Sequence, residues 1–207
     1  IEVVYRIIIH FFLILFAVVC LVPLLLTISV SFSDERDLVL NGYSLFPRIF
    51  STSAYEFIFK NPGALITSYW VTIRITFLGT VLGVLFMSMA AYSLSRQDFK
   101  LRKQIIFLIF FTMLFSGGLV PTYLVVTRTL HLQDTLWVMF LPIMVNAWNT
   151  FLLVTYFKTI PFEMIESAKL DGANEFTIYW RIIMPMVKPA LATIALLLSL
   201  RLWNEWY

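Results

Sequence analysis

Three carboxylates, Glu163, Glu166 and Asp171, stand within nine residues and are followed directly by Gly172. Such a group can recognise a basic partner surface by charge and shape, but it cannot break a bond unaided. Covalent catalysis needs a nucleophile, a base and an orienting group, and no Ser sits in a Gly-x-Ser-x-Gly setting. His10 and His131 are expected near opposite membrane faces, and Cys20 is the single cysteine, so no Cys/His metal cluster is predicted. A phosphate cradle would need Gly-x-x-x-x-Gly-Lys-Ser/Thr. Gly117-Gly118 is followed by Leu119-Val120-Pro121 and meets no basic residue before Arg128. No cofactor is therefore expected in this chain. A second set of polar groups lies in apolar runs: Arg74, Asn146, Trp148, Asn149 and Arg201. Amides and an aromatic face suit a hydroxyl-rich ligand, whereas an intramembrane Arg needs a partner or a wet cavity.

The elements that must hold these groups follow from composition. Of 207 residues, 60% are hydrophobic and 13% charged, and the mean hydropathy is +0.88. A soluble domain is about 45–50% apolar and about 25% charged, so much of this chain has lipid as its solvent. Disorder and a disulfide-stapled module are excluded on the same grounds. A net charge of +3 scattered over the chain argues against nucleic acid. Uncharged runs lie between Arg6 and Asp34, Arg74 and Arg96, Lys103 and Arg128, and Asp134 and Lys158. Each is long enough for the roughly 20 residues of a spanning helix. A fifth run after Lys188 is interrupted by Arg201, so the fold class is an all-α, polytopic transmembrane bundle. The first run is too long for a secretory signal and is read as a retained span, with Cys20 as a buried thiol.

Basic residues are enriched in cytoplasmic loops. The segment from Arg96 to Lys103 is half basic. Placing it inside puts the N-terminus inside, an amphipathic segment 33–72 outside as an ordered cap, and Lys158–Lys188 inside. In that inner segment Pro161 suits the first turn of a helix and Glu163 its positive end. Gly172 suits its C-terminal cap with a positive φ that leaves no room for a side chain. A second helix is expected from Glu175 to about Pro185. Each acid has a plain alternative as a solvated surface group, and Asp171 as a local cap.

Glu166-Ser167-Ala168, Gly172 six residues after the Glu, and then Ile182, Met184 and Pro185 resemble the Glu-Ala-Ala loop of binding-protein-dependent ABC importer permeases. Ser167 stands for Ala and Met184 for Leu in that pattern. Ala90-Ala91-Tyr92-Ser93-Leu94-Ser95-Arg96 is similar to the carbohydrate-type permeases, and Phe115-Ser116-Gly117-Gly118-Leu119-Val120-Pro121 to the branch importing complex oligosaccharides, as in aldouronate, rhamnogalacturonan and alginate systems. Trp203-Asn204-Glu205-Trp206 is similar to the Trp-Asn-Glu-Phe signature of the fifth span. The resemblance implies a single permease domain over residues 1–207 of the type I importer kind, with about five of six spans visible and the C-terminal part missing. It implies a multi-pass protein of the bacterial plasma (inner) membrane.

The implied partners are a second, dissimilar permease, two cytoplasmic ATPase subunits holding ATP and Mg, an extracytoplasmic solute-binding protein and an oligosaccharide. Glu163, Glu166, Ser167, Ala168, Asp171 and Gly172 would then form the ATPase-coupling knob of a non-catalytic subunit. Arg74, Asn146, Trp148, Asn149, Arg201, Trp203, Asn204 and Glu205 would line the sugar path. Arg74 stands where the family pattern has an apolar residue. Asn146 and Asn149, 12 and 15 residues past Asp134, would lie about 18 to 22 Å along a helix, near mid-bilayer. Arg201, 13 residues past Lys188, would lie about 20 Å up its own helix. Interhelical hydrogen bonding near Pro142 competes for the two Asn, and an ion pair with Glu205 competes for Arg201. A secondary transporter, or a structural membrane subunit of another complex, stands as the alternative class, although no inverted repeat is visible.

Overall fold

The computed structural model describes residues 2–60, 62–115 and 117–205. Ser116 and Trp206, each part of a motif above, lie outside the described residues. Among the described residues the regular structure is helical, joined by turns and irregular stretches, with one isolated bridge between Ser33 and Phe50. It divides into two compact units, residues 1–68 and 69–207.

The first unit opens with α1, Glu2–Ser31, a helix of 30 residues whose side chains are exposed nearly throughout. A helix apolar on every face needs lipid or neighbouring helices around it. Cys20 is exposed on α1, contrary to the buried thiol expected, because the helix has no neighbour in its own unit to bury it. After α1 the chain folds back on itself. The Asp34 carboxylate accepts from the Arg36 and Asp37 amides and starts α2, Glu35–Asn41. The Ser51 amide donates to the Phe32 carbonyl at 2.9 Å, Phe32 stacks on Phe50 at 5.5 Å, and the Tyr55 hydroxyl at the start of α3, Ser53–Lys60, donates to Ser31 at 2.9 Å.

The helix α4 runs from Pro62 to Ser95 and so takes over the last part of the segment expected to cap the outer face, and it contains Arg74 rather than starting after it. Its 34 residues span about 51 Å, well beyond the roughly 30 Å hydrocarbon thickness.

Two other expected spans are not single helices. The third run consists of α5, Arg102–Leu114, then α6, Leu119–Leu124, and a π-helical turn at Val125–Thr129, with a bend of 119° between the two parts. Gly118 there has a φ of +80°, which a side chain would strain. In the fourth run a 3₁₀ turn, Leu136–Met139, and further turns precede α7, Ala147–Phe157. Pro142 lacks the N–H a helix interior needs, and the Asn146 side chain accepts from the Asn149 amide at 3.1 Å, starting a new helix instead of continuing one. Counting uncharged residues finds lengths compatible with the membrane, but it does not see these breaks.

The remaining helices of the second unit are α8, Phe162–Leu170, α9, Glu175–Thr177, and α10, Met184–Met186, the last two joined by a π-helical stretch, Ile178–Ile183. The last is α11, Lys188–Trp203, set 80° from the preceding segment. Met87 and Leu94 of α4, Leu153 and Phe157 of α7, Ile165 of α8, Ile178, and Ile194 and Leu198 of α11 form one buried core. Close approach at its centre depends on Gly79 and Gly83, one turn apart on α4. A Cβ on Gly83 would lie 2.5 Å from the Met144 carbonyl oxygen, and one on Gly79 would lie 2.7 Å from Leu202 Cδ1. Small residues at this spacing let helix backbones meet.

Candidate functional site

The segment between α7 and α11 is a helix, a short turn and a second helical stretch, and each boundary has a local cause. Pro161 precedes α8, where its missing N–H costs nothing, and Glu163 sits in the first turn against the positive end of the helix. At the other end Gly172 has a φ of +83°. The Gly172 amide donates to the Lys169 carbonyl at 3.0 Å, and the Ala173 amide to the Ala168 carbonyl at 2.9 Å. These are the two bonds of a Schellman cap, and buried Ala168 with half-buried Ala173 supplies its apolar contact. Asp171 occupies the C-cap through its backbone. Nothing lies within 4 Å of a Cβ built on Gly172, so the expectation of no room for a side chain is corrected: the glycine is required by backbone conformation, with open space around it. Asn174 begins the next helix by accepting from the Thr177 amide at 2.8 Å.

Ile165 and Ala168 face the core, while Glu163, Glu166, Ser167, Asp171 and Gly172 are exposed. The knob thus presents one acidic face outward. Leu170 and Phe176 flank the turn and are 90% and 71% exposed.

Behind this face lies a polar cluster that joins Tyr92 and Arg96 of the Ala90–Arg96 motif to Asp98, Lys169 and Glu175. Arg96 follows the end of α4 and is buried. Its guanidinium clamps Asp98 through two hydrogen bonds, pairs with Glu175 Oε2, and donates to the Tyr92 hydroxyl at 3.1 Å. The Tyr92 hydroxyl donates to the same Glu175 oxygen at 3.0 Å, and Lys169 Nζ approaches Glu175 Oε1 at 2.9 Å and Asp98 Oδ2 at 3.7 Å. The Arg96 guanidinium holds the Asp98 carboxyl below the usual carboxylate range. Burial opposes ionisation of Glu175, but Lys169, Tyr92 and Arg96 outweigh it and lower its pKa as well. One turn deeper, the Ser88 and Tyr179 hydroxyls share a hydrogen bond of 2.6 Å between α4 and the π-helical stretch.

The residues expected along a sugar path are not brought into one polar site. Asn146 is spent on capping α7, and its depth cannot be read from a helical rise because no continuous helix runs from Asp134 to it. Asn149 is buried, Trp148 and Trp203 are exposed, and the Asn204 side chain donates to the Leu200 carbonyl at the end of α11. Arg74 and Arg201 are exposed on α4 and α11. Among the described residues no ion pair joins Arg201 to Glu205. Glu205 instead lines a cavity of about 240 Å³ with Thr122, Tyr123, Met139 and Pro142.

Residues 81–206, which include the whole knob, match the family described as binding-protein-dependent transport system inner membrane component. The chain belongs to that family. This inner membrane component is 39% identical over 198 residues to the polygalacturonan/rhamnogalacturonan transport system permease protein YtcP of Bacillus subtilis (strain 168), covering 96% of the chain and 68% of that protein. It is 38% identical over 189 residues to protein LplC of the same organism, covering 91% of the chain and 63% of LplC. The chain therefore spans about two thirds of the length of these relatives. The crystal structure of a bacterial ABC transporter involved in the import of the acidic polysaccharide alginate contains a chain that superposes with a TM-score of 0.86 at 34% identity, covering 99% of this chain and 72% of that one. The fold is that of an ABC importer permease.

Proposed function

We propose that this chain is one transmembrane subunit of an ATP-driven importer of oligosaccharides or polysaccharide fragments, including acidic ones. The observation carrying this reading is the family match through the knob, joined to the relatives' association with polygalacturonan, rhamnogalacturonan and alginate. The chain pairs with a second, dissimilar permease in the bacterial inner membrane, with its N-terminus and residues 158–188 on the cytoplasmic side. Two ATPase subunits, which carry ATP and Mg, meet the exposed acids Glu163, Glu166 and Asp171. A solute-binding protein meets the outer segment around Tyr43 to Pro62. Closure of the ATPases moves the knobs and rocks the attached helices between inward and outward access. Arg74 and Arg201 favour polyanionic cargo by their field. The test is uptake by proteoliposomes containing the reconstituted transporter, its binding protein and ATP. Accumulation of oligogalacturonate that depends on every component supports the reading; uptake that persists without the ATPase subunits refutes it.

A further inference from the structure

We propose that Arg96 is a positioning residue that makes the knob and the cytoplasmic end of α4 a single lever. The inference rests on the importer reading above and adds to it the route by which force reaches α4. Covalently, α8 is attached to α7 on one side and, through α9 and α10, to α11 on the other. No short stretch of backbone joins it to α4. The charged link is the cluster at Arg96, whose partner Glu175 lies 79 positions further along the chain; the Ser88–Tyr179 hydrogen bond and the apolar core lie beside it.

The arrangement is specific to the groups present. Both oxygens of Glu175 are occupied, Oε2 by Arg96 and Tyr92 and Oε1 by Lys169. Lys169 is in the last turn of α8 and Glu175 in the first turn of α9, so the carboxylate also bridges the Gly172 turn. The Arg96 fork is fixed in orientation by Asp98, gripped at both oxygens, and the guanidinium carbon stands 5.7 Å from the centre of the Tyr92 ring. A planar fork held at several points fixes direction, whereas apolar packing of Ile165 and Ala168 alone would let α8 slide. Three segments, α4, α8 and the stretch from Glu175, thus move as one body. Arg74 sits 22 residues up α4 from Arg96, about 33 Å by helical rise, so a tilt at the knob reaches the opposite half of the helix.

The experiment uses the complete transporter in lipid nanodiscs, with Arg96→Gln, Arg96→Lys, Glu175→Gln and the Arg96→Gln/Glu175→Gln double variant. Two measurements are made: stimulation of ATP turnover by loaded binding protein over the turnover without it, and the distance distribution between spin labels at Ser93→Cys and Leu170→Cys, the latter in a Cys20→Ser background because the native thiol is exposed. Arg96→Gln is expected to lower the stimulation ratio at least fivefold and to broaden the distance distribution. Arg96→Lys should fall in between, and the double variant should be no worse than Arg96→Gln. A ratio within twofold of the parent, or a loss that merely tracks the amount of assembled transporter, overturns the proposal. If the parent transporter itself is not stimulated by loaded binding protein, the importer reading fails. The spin labels then decide the lever alone, and an unbroadened distribution in Arg96→Gln overturns it.

Discussion

Gly83 offers the sharpest quantitative test of the fold. A methyl group placed there would sit 2.5 Å from the Met144 carbonyl oxygen and 2.6 Å from Leu198 Cδ2. The first neighbour is backbone and cannot rotate away, so α4 must move from the turn at Met144. Overpacking of this kind costs about 1–3 kcal/mol, and a backbone clash belongs at the upper end. Alanine regains about 1 kcal/mol of helix propensity over glycine, which leaves a net loss of roughly 2 kcal/mol. For a chain of this size that is a fall of about 4–8 °C in melting temperature. Gly79→Ala meets the flexible Leu202 Cδ1 at 2.7 Å and Phe140 Cβ at 3.0 Å, so its loss should be smaller. Gly63→Ala has nothing within 4 Å and should melt at or above the parent. Thermal unfolding in detergent, followed by loss of the monodisperse size-exclusion peak, ranks the three. If Gly83→Ala melts with the parent, or Gly63→Ala melts below it, the close approach of α4 has been misplaced.

Gly172→Val should strain the positive φ by about 1–2 kcal/mol and uncouple ATP turnover from loaded binding protein, while the helices stay assembled; stimulation equal to the parent argues against a fixed knob angle. Arg74→Gln and Arg201→Gln should reduce uptake of oligouronates more than of neutral oligosaccharides, and equal losses would point to structural roles. Asp98 and Glu175 have lowered pKa values in the fold, so their stabilisation is complete above the ordinary carboxylate range near pH 4 and is lost as pH falls through the lower folded values. The stability difference between the parent and Asp98→Asn/Glu175→Gln, measured by thermal unfolding from pH 7 to pH 3, should therefore shrink toward acid; a constant difference would mean the charges are not what matters. The purified chain alone should bind no ATP in a filter-binding assay, and saturable binding would place the energy input in this subunit.

The knob is legible in the sequence because its causes are local, a proline at the start of the helix and a glycine at its end; the Asn174 cap of the next helix is equally local but is not among the expectations. The bend next to Gly118 and the interruption before Asn146 are not legible, because hydropathy sums are blind to where Pro142 and Asn146 end one conformation and begin another. The depth expected for Asn146 presumes a continuous helix from Asp134 that turns replace, and its cap role depends on geometry at Asn149. The pairing of Arg96 with Glu175 is not legible, because nothing near Arg96 in sequence announces a partner 79 residues away. Tyr92 and Arg96 at i and i+4 were the available hint, since that spacing puts a hydroxyl and a guanidinium on one helix face. Cys20 misled because burial habits learned from soluble cores do not apply where lipid is the surroundings.

The span of 79 residues between Arg96 and Glu175 has a consequence for biosynthesis. At about 5–20 residues per second, the ribosome needs roughly 4–16 s after making Arg96 before Glu175 exists. Throughout that interval the guanidinium is without its distant partner. Asp98 is made two residues later and takes the Nε and Nη2 edge of the fork. The nascent chain therefore carries its own temporary counter-charge, and α4 can be inserted and oriented before the rest of the cluster has been translated.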